Sequence, residues 1–257
     1  MLPVGGERSA IAERSRRQGD AVDHQPHVLD NPAYSALAGP HGYLAEQRGA
    51  ALRYPVDVAP YAALSEEPGP GDWAELAALT GRGALVRFAG APACAPDRWP
   101  VTRHIRLQMI DESVNGAHCA DAIRLAPADV PDMLALVAST DPGPFQPRTI
   151  ELGTYLGVRR NGALVAMAGE RLHPPGWIEI SAVCTRPEYR GQGLARQLVL
   201  ALAAKIRGRG ERAFLHVSAD NHRAVRLYES LGFQPRRLMT FVEARVPITG
   251  RAAAGGR

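Results

Sequence analysis

The sequence predicts an α/β (α+β) protein, with a mixed sheet and helices in its second half and a smaller α/β domain before it. Three observations predict this. Over residues 120–247, period-two and helical apolar patterns interleave as strand, helix, three strands, helix, strand, helix, strand. Asn161-Gly162 sits between two alternating runs, the dipeptide that a type I′ hairpin turn favours. A glycine-rich turn joins a strand directly to a long amphipathic helix at Gly191 to Gly193.

Composition bounds what the chain can be. At 257 residues, 46% hydrophobic and 22% charged, it can bury an ordinary globular core. Its richest apolar stretch, Leu198–Ala204, is too short to span a bilayer and is flanked by Arg196 and Lys205. The start lacks the basic-then-apolar order of a secretory leader, so a cytoplasmic protein with no membrane association is expected. Cys94, Cys119 and Cys184 have neither the number nor the spacing of a disulfide framework or a zinc site, so no metal is expected. Net charge is only +4, yet residues 181–240 hold eleven Arg/Lys against four acids, a balance of +7. That excess wants an anionic partner, unless it is a set of solvated helix faces. Nucleic acid is not expected, because no aromatic-interleaved basic stretch accompanies the charge.

In chain order, residues 1–26 read as a flexible extension and 27–115 as a first, accessory domain. Within it, Asn31–Gln47 suits one or two short helices broken at Gly39-Pro40. Asp72–Thr80 suits a helix stopped by Gly81 and Gly83, and Ala84–Phe88 and Arg103–Ile110 suit strands. The polar segment Asp111–Ala120 reads as a linker and Ala91–Pro100 as turn-like. The second domain, 120–247, opens with a strand at Ala122–Leu125. A helix from Pro127 to Ser139 follows, with Val130, Met133, Leu134 and Val137 on one face. Thr154–Arg159 and Ala163–Leu172 form the hairpin, and Trp177–Thr185 is the third strand. Gly193–Arg207 is a helix, Ala213–Val217 a strand, Asn221–Leu231 a helix and Leu238–Val246 the last strand, with 248–257 a flexible tail.

The informative run is Ile180–Ala195, ISAVCTRPEYRGQGLA. Strand, glycine-rich turn and helix N-terminus together make a phosphate site: first-turn N–H groups lack intrahelical partners, the helix dipole favours an anion, and glycine lets it approach. The turn is neither a Walker loop nor a dinucleotide fingerprint, and by itself Gly-Gln-Gly fits a plain tight turn as well. Arg190-Gly191-Gln192-Gly193-Leu194-Ala195 resembles the Q/R-x-x-G-x-G/A signature of the GNAT N-acetyltransferase superfamily. A second run, Asn221 to Phe233 (NHRAVRLYESLGF), resembles that family's N-x-x-A-x-x-L/F-Y-x-x-L-G-F. At helical spacing, Asn221, Ala224 or Val225, and Tyr228 share one face.

The resemblance covers about half of the chain. It implies the GNAT acyl-CoA N-acyltransferase fold, with a mostly antiparallel central sheet, and acetyl-CoA as co-substrate. The amine acceptor, a small molecule or a protein amine, attacks the thioester directly in a ternary complex, in a monomer or homodimer. It also implies that Arg190, Gly191, Gln192, Gly193, Leu194 and Ala195 hold the diphosphate, and that Val183, Cys184, Thr185 and Asn221 accompany the pantetheine arm. Tyr228 becomes the acid that protonates the leaving thiolate, since a phenol is protonated at neutral pH. Glu179 becomes the candidate base. Each has a plainer reading: Tyr228 as a core tyrosine bonded to backbone, Asn221 as a helix cap, and Glu179 as a carboxylate paired with a neighbouring arginine. His216 reads as structural, Cys184 as a packing residue and His173 as a loop residue. On the strand, alternation puts Trp177, Glu179, Ser181, Val183 and Thr185 on one face. The first domain is expected to be a degenerate copy of the same fold without a second coenzyme site. An acyl-CoA-binding protein without turnover is the alternative function.

Overall fold

The computed structural model describes residues 27–90 and 95–248. The expected extension 1–26, most of the expected tail and part of the turn-like 91–100 segment lie outside them. The described residues open with helix α1 (Pro32–Leu37), begun by Pro32 in its first turn, and a 3₁₀ turn at Gly42–Leu44. Three short antiparallel strands follow, β1 (Glu46–Arg48), β2 (Ala51–Arg53) and β3 (Ala62–Ala63). At two or three residues each, they are too short to leave an alternation in the sequence. Helix α2 (Pro70–Thr80) packs Trp73 and Leu76 inward, where Trp73 meets Phe88 and Trp99 edge-on.

One eight-stranded sheet takes up the rest of the chain: β4 (Leu85–Ala89), β5 (Val101–Asp111), β6 (Ile123–Arg124), β7 (Tyr155–Arg160), β8 (Ala163–Glu170), β9 (Trp177–Thr185), β10 (Arg212–Ser218) and β11 (Phe233–Arg245). Its order is β4-β11-β5-β10-β9-β8-β7-β6, and only β9 and β10 run parallel. The expected mostly antiparallel sheet is therefore present. The β7–β8 turn is the expected one, with Asn161 at φ 51° and Gly162 at φ 80°. Helices α3 (Val130–Thr140), α4 (Leu194–Arg207) and α5 (His222–Ser230) flank the sheet. Helix α3 buries Met133 and Leu136 completely. Helix α4 buries Leu198, Val199, Leu202, Ala203 and Ile206 against the sheet, and Lys205 and Arg207 complement its C-terminal dipole.

Two expectations are corrected. The boundary expected between 115 and 120 does not separate two sheets. Strand β5, from the expected accessory domain, lies between β10 and β11, with Gln108 opposite His216 and Leu107 opposite Leu238. Its alternating pattern marks it as a strand, but the partners lie more than a hundred residues downstream, where periodicity says nothing. The last strand also begins earlier than expected, at Phe233. Pro235 is accommodated because the β5–β11 register slips between Pro235 and Arg237, so the missing N–H falls at a bulge. Leu29, Tyr54, Val58 and Tyr61 from the N-terminal half pack with Leu172, Trp177 and Phe214. They roof the sheet face opposite α4.

Candidate active site

Strands β9 and β10 pair only at Trp177–Glu179 with Arg212–Phe214. Beyond Glu179 they diverge, and a cleft of about 760 Å³ opens between Ile180–Thr185 and His216–Ser218. A bulge in β9 accompanies the divergence. Met167 opposes Cys184 but Gly169 opposes Ser181, so β9 carries one extra residue, and Ala182 has φ 52°. The bulge also resets the alternation. Ile178, Ile180 and Val183 pack on the α4 side, while Ala182 and Cys184 join Met133 and Leu136 under α3. Val183 therefore does not share a face with Trp177 and Glu179, which corrects the straight-strand expectation.

At the α4 end of the cleft, Gly191 (φ 79°) and Gly193 (φ 76°) both take left-handed backbone. No atom blocks a Cβ at Gly191, so the requirement for glycine there is conformational. Gly193 is the N-cap and has no side chain to bond the first-turn amides. The first helical bond is from Gln197 N–H to Gly193 C=O at 3.0 Å. The amides of Leu194, Ala195 and Arg196 precede it, and all three residues line the cleft. Arg190, Gly191, Gly193, Leu194 and Ala195 line it, with Val183, Cys184 and Thr185 along the strand, but Gln192 does not. Arg196 and Arg223 add positive charge. The Thr185 hydroxyl is buried without a hydrogen-bond partner among the described residues.

Helix α5 brings Asn221, Ala224, Leu227 and Tyr228 to the cleft. The Asn221 side chain accepts from the Ala224 N–H at 3.1 Å, so the cap reading holds for it. Tyr228 is buried at 8% exposure, and desolvation alone pushes its phenol up to about 12. Cys184 is raised to about 11, chiefly by burial, and is a protonated packing residue.

Opposite α4, the cleft is floored by a buried polar chain. Glu179 is completely buried and does not line the cleft. Arg171 Nε and Nη2 donate to its two oxygens at 2.8 and 2.6 Å, and His216 Nδ1 lies 2.7 Å from Oε1. Burial alone would raise this carboxyl, but the Arg171 guanidinium overrides it and holds it at about 2. A carboxylate so held is a weak base, and the expected role of Glu179 does not fit its surroundings; the arginine-pair reading does. Gln108 fixes the His216 tautomer. Its Oε1 accepts from Arg236, and its Nε2 donates to the Leu29 carbonyl at 2.9 Å and faces His216 Nε2 at 3.0 Å. His216 Nε2 must then be the unprotonated acceptor, with Nδ1–H donating to Glu179. Burial lowers the His216 pKa, and the ring is neutral. Tyr61, Arg106, Arg171 and Gln108 belong to no motif, and nothing local in the sequence marks them.

Comparison with known proteins identifies the fold. A solved structure from Novosphingobium aromaticivorans, described as a GNAT-family acetyltransferase, is 40% identical, with TM-score 0.78, covering 85% of this chain and 98% of that one. The N-alpha-acetyltransferase RimI of Mycobacterium tuberculosis is 36% identical over 122 residues, 73% of its length. The chain belongs to the GNAT superfamily. The family described as FR47-like protein matches residues 155–242 of this GNAT chain. A mycothiol acetyltransferase of Thermobispora bispora is 43% identical over 83 residues, but the match spans only 28% of that relative.

GNAT acetyltransferases use acetyl-CoA as co-substrate, and the cleft of this acyltransferase fits such a group. Unbonded first-turn amides of α4 suit a diphosphate. Arg190, Arg196 and Arg223 supply countercharge, the Thr185 hydroxyl is unpartnered, and the β9 edge beyond Glu179 has lost its strand partner. Among the described residues no group of three metal-ligating side chains converges, and no helix is long and apolar enough to cross a membrane.

Proposed function

We propose that this chain moves the acetyl group of acetyl-CoA to an amine by direct attack within a ternary complex. One observation carries the reading: the divergence of β9 from β10 opens a cleft that joins free helix amides at one end to the Tyr228 side chain. Leu194, Ala195 and Arg196 bind the diphosphate through backbone N–H. The unpaired edge of Val183–Thr185 takes the pantetheine arm as an added strand and polarises the thioester carbonyl. The amine nitrogen forms a bond to the acetyl carbon as the carbon–sulfur bond breaks. Tyr228 gives its proton to the departing sulfur and regains one from solvent, and the amine releases its proton to water in the cleft. Glu179 acts as a positioning group, holding Arg171 and His216 across the floor. The names of the two relatives above both denote acetyl transfer, and the first an α-amine, which supports an amine acceptor here.

The occupied Glu179 favours a second reading, a coenzyme A-binding protein without turnover. Calorimetry with coenzyme A, followed by thiol release from acetyl-CoA across a panel of amines, separates the two. Binding with amine-dependent thiol release is expected. Binding without release from any amine leaves the second reading, and no binding removes both.

A further inference from the structure

The acceptor end of the cleft, away from α4, is bounded by Tyr61, Arg106, Arg171, Ser181, His216 and Phe241. Its charge is unbalanced. Arg171 is neutralised by Glu179, and His216 is a neutral ring whose N–H is spent on the same carboxylate. Glu243 is engaged with Arg87 at 2.5 Å and Asp30 with Arg236 and Arg237 at 2.8 Å, while the cleft-lining Asp141 belongs to the C-cap of α3. Arg106 has no acidic partner among the described residues, and its charge acts on both His216 and Tyr61. Its place follows from register. Arg106 opposes Ser218 as Gln108 opposes His216, so alternation sets Arg106 on the His216 face, with β5 delivering both residues.

Resting on the reading of this cleft as an acetyl-transfer site, we infer that its acceptor is an amine carrying a carboxylate near the reacting nitrogen, with Arg106 as the residue that reads the carboxylate. A planar guanidinium presents two N–H groups to a carboxylate. Positioned here, it orients the amine toward the thioester while discriminating against polycations, whose second charge meets the unpaired Arg106. The same chemistry is offered by a free amino acid and by a peptide whose second residue is acidic.

Matched amine pairs distinguish these sources and test the inference on the unmodified full chain. One pair is an amino acid and its amide. The other is a dipeptide amide with aspartate or asparagine in second position. Thiol release is expected to show a kcat/KM roughly tenfold higher for the charged member of at least one pair, about 1.4 kcal/mol. Arg106→Gln is expected to erase that preference, mainly through KM, and Arg106→Lys to restore part of it. Turnover with both pairs equal, or a preference that survives Arg106→Gln, overturns the inference and leaves acetyl transfer standing. No thiol release with any amine overturns the acetyl-transfer reading and this inference with it. Should Arg106→Gln misfold, the pairs on the unmodified chain still decide.

Discussion

Glu179→Gln separates a structural carboxylate from a catalytic base. In the folded protein the Glu179 oxygens take two hydrogen bonds from Arg171, at 2.8 and 2.6 Å, and one from His216 at 2.7 Å, all out of contact with water. Glutamine keeps the shape but carries no charge, and its NH₂ must face either the guanidinium or the imidazole N–H. Arg171, only 12% exposed, then keeps a charge with no counter-ion. Breaking a buried pair from one side costs about 3–5 kcal/mol. For a protein of this size that corresponds to a melting temperature lower by roughly 6–20 °C. The sign of the pH dependence follows from the same pair. Because the folded carboxyl lies at about 2, below its ordinary value of 4.5, its contribution is complete above that value and is lost as pH falls toward 2. Thermal melts from pH 7 to pH 3 should therefore show the parent losing more stability than Glu179→Gln. A variant that melts within about 2 °C of the parent, yet loses a hundredfold or more in kcat, would refute the reasoning and return Glu179 to the chemistry.

Three further outcomes are expected. Tyr228→Phe should lower kcat by about 10²–10⁴, the range for a lost general acid, while coenzyme A affinity by calorimetry and the melting temperature stay unchanged. Gly193→Ala should cost about 1–2 kcal/mol, because alanine must hold φ 76° in the left-handed region. Calorimetry should show a weaker coenzyme A Kd, with the acceptor KM unaffected. With Glu179 held near 2 and His216 bonded through both ring nitrogens, the log of kcat/KM should climb about one unit per pH unit up to the acceptor amine's own pKa. A plateau beginning near pH 5–6 would instead place a protein base in the site.

What the sequence discloses about this site depends on how local each part is. The α4 turn and the Asn221–Tyr228 helix face are continuous segments whose spacing follows from backbone geometry, and both line the cleft. The Glu179 surroundings are not continuous. Arg171 lies 8 residues away, His216 lies 37 away, and Gln108 reaches His216 across 108. No periodicity connects such positions, so a strand glutamate that suits a base by sequence turns out to be an ion-pair partner. Ala182 misled for another reason. An alanine with φ 52° has none of the glycine or asparagine that usually marks left-handed backbone, so the sequence pattern is that of a straight strand and puts Val183 on the Glu179 face.

The intercalated β5 explains why the family is legible and the acceptor is not. The α4 side of the cleft is assembled from Val183–Tyr228, one continuous stretch bearing two motifs. The opposite side draws on Tyr61 from beyond β2 and Arg106 from β5, with Gln108 of β5, anchored on the Leu29 carbonyl, behind His216. Arg106 reaches the cleft because β5 takes the place between β10 and β11 that an isolated 120–247 unit would leave open. The two halves therefore share one sheet and one cleft. A fragment beginning at residue 120 would lose the strand that pairs with both β10 and β11, together with the partner that fixes the His216 tautomer.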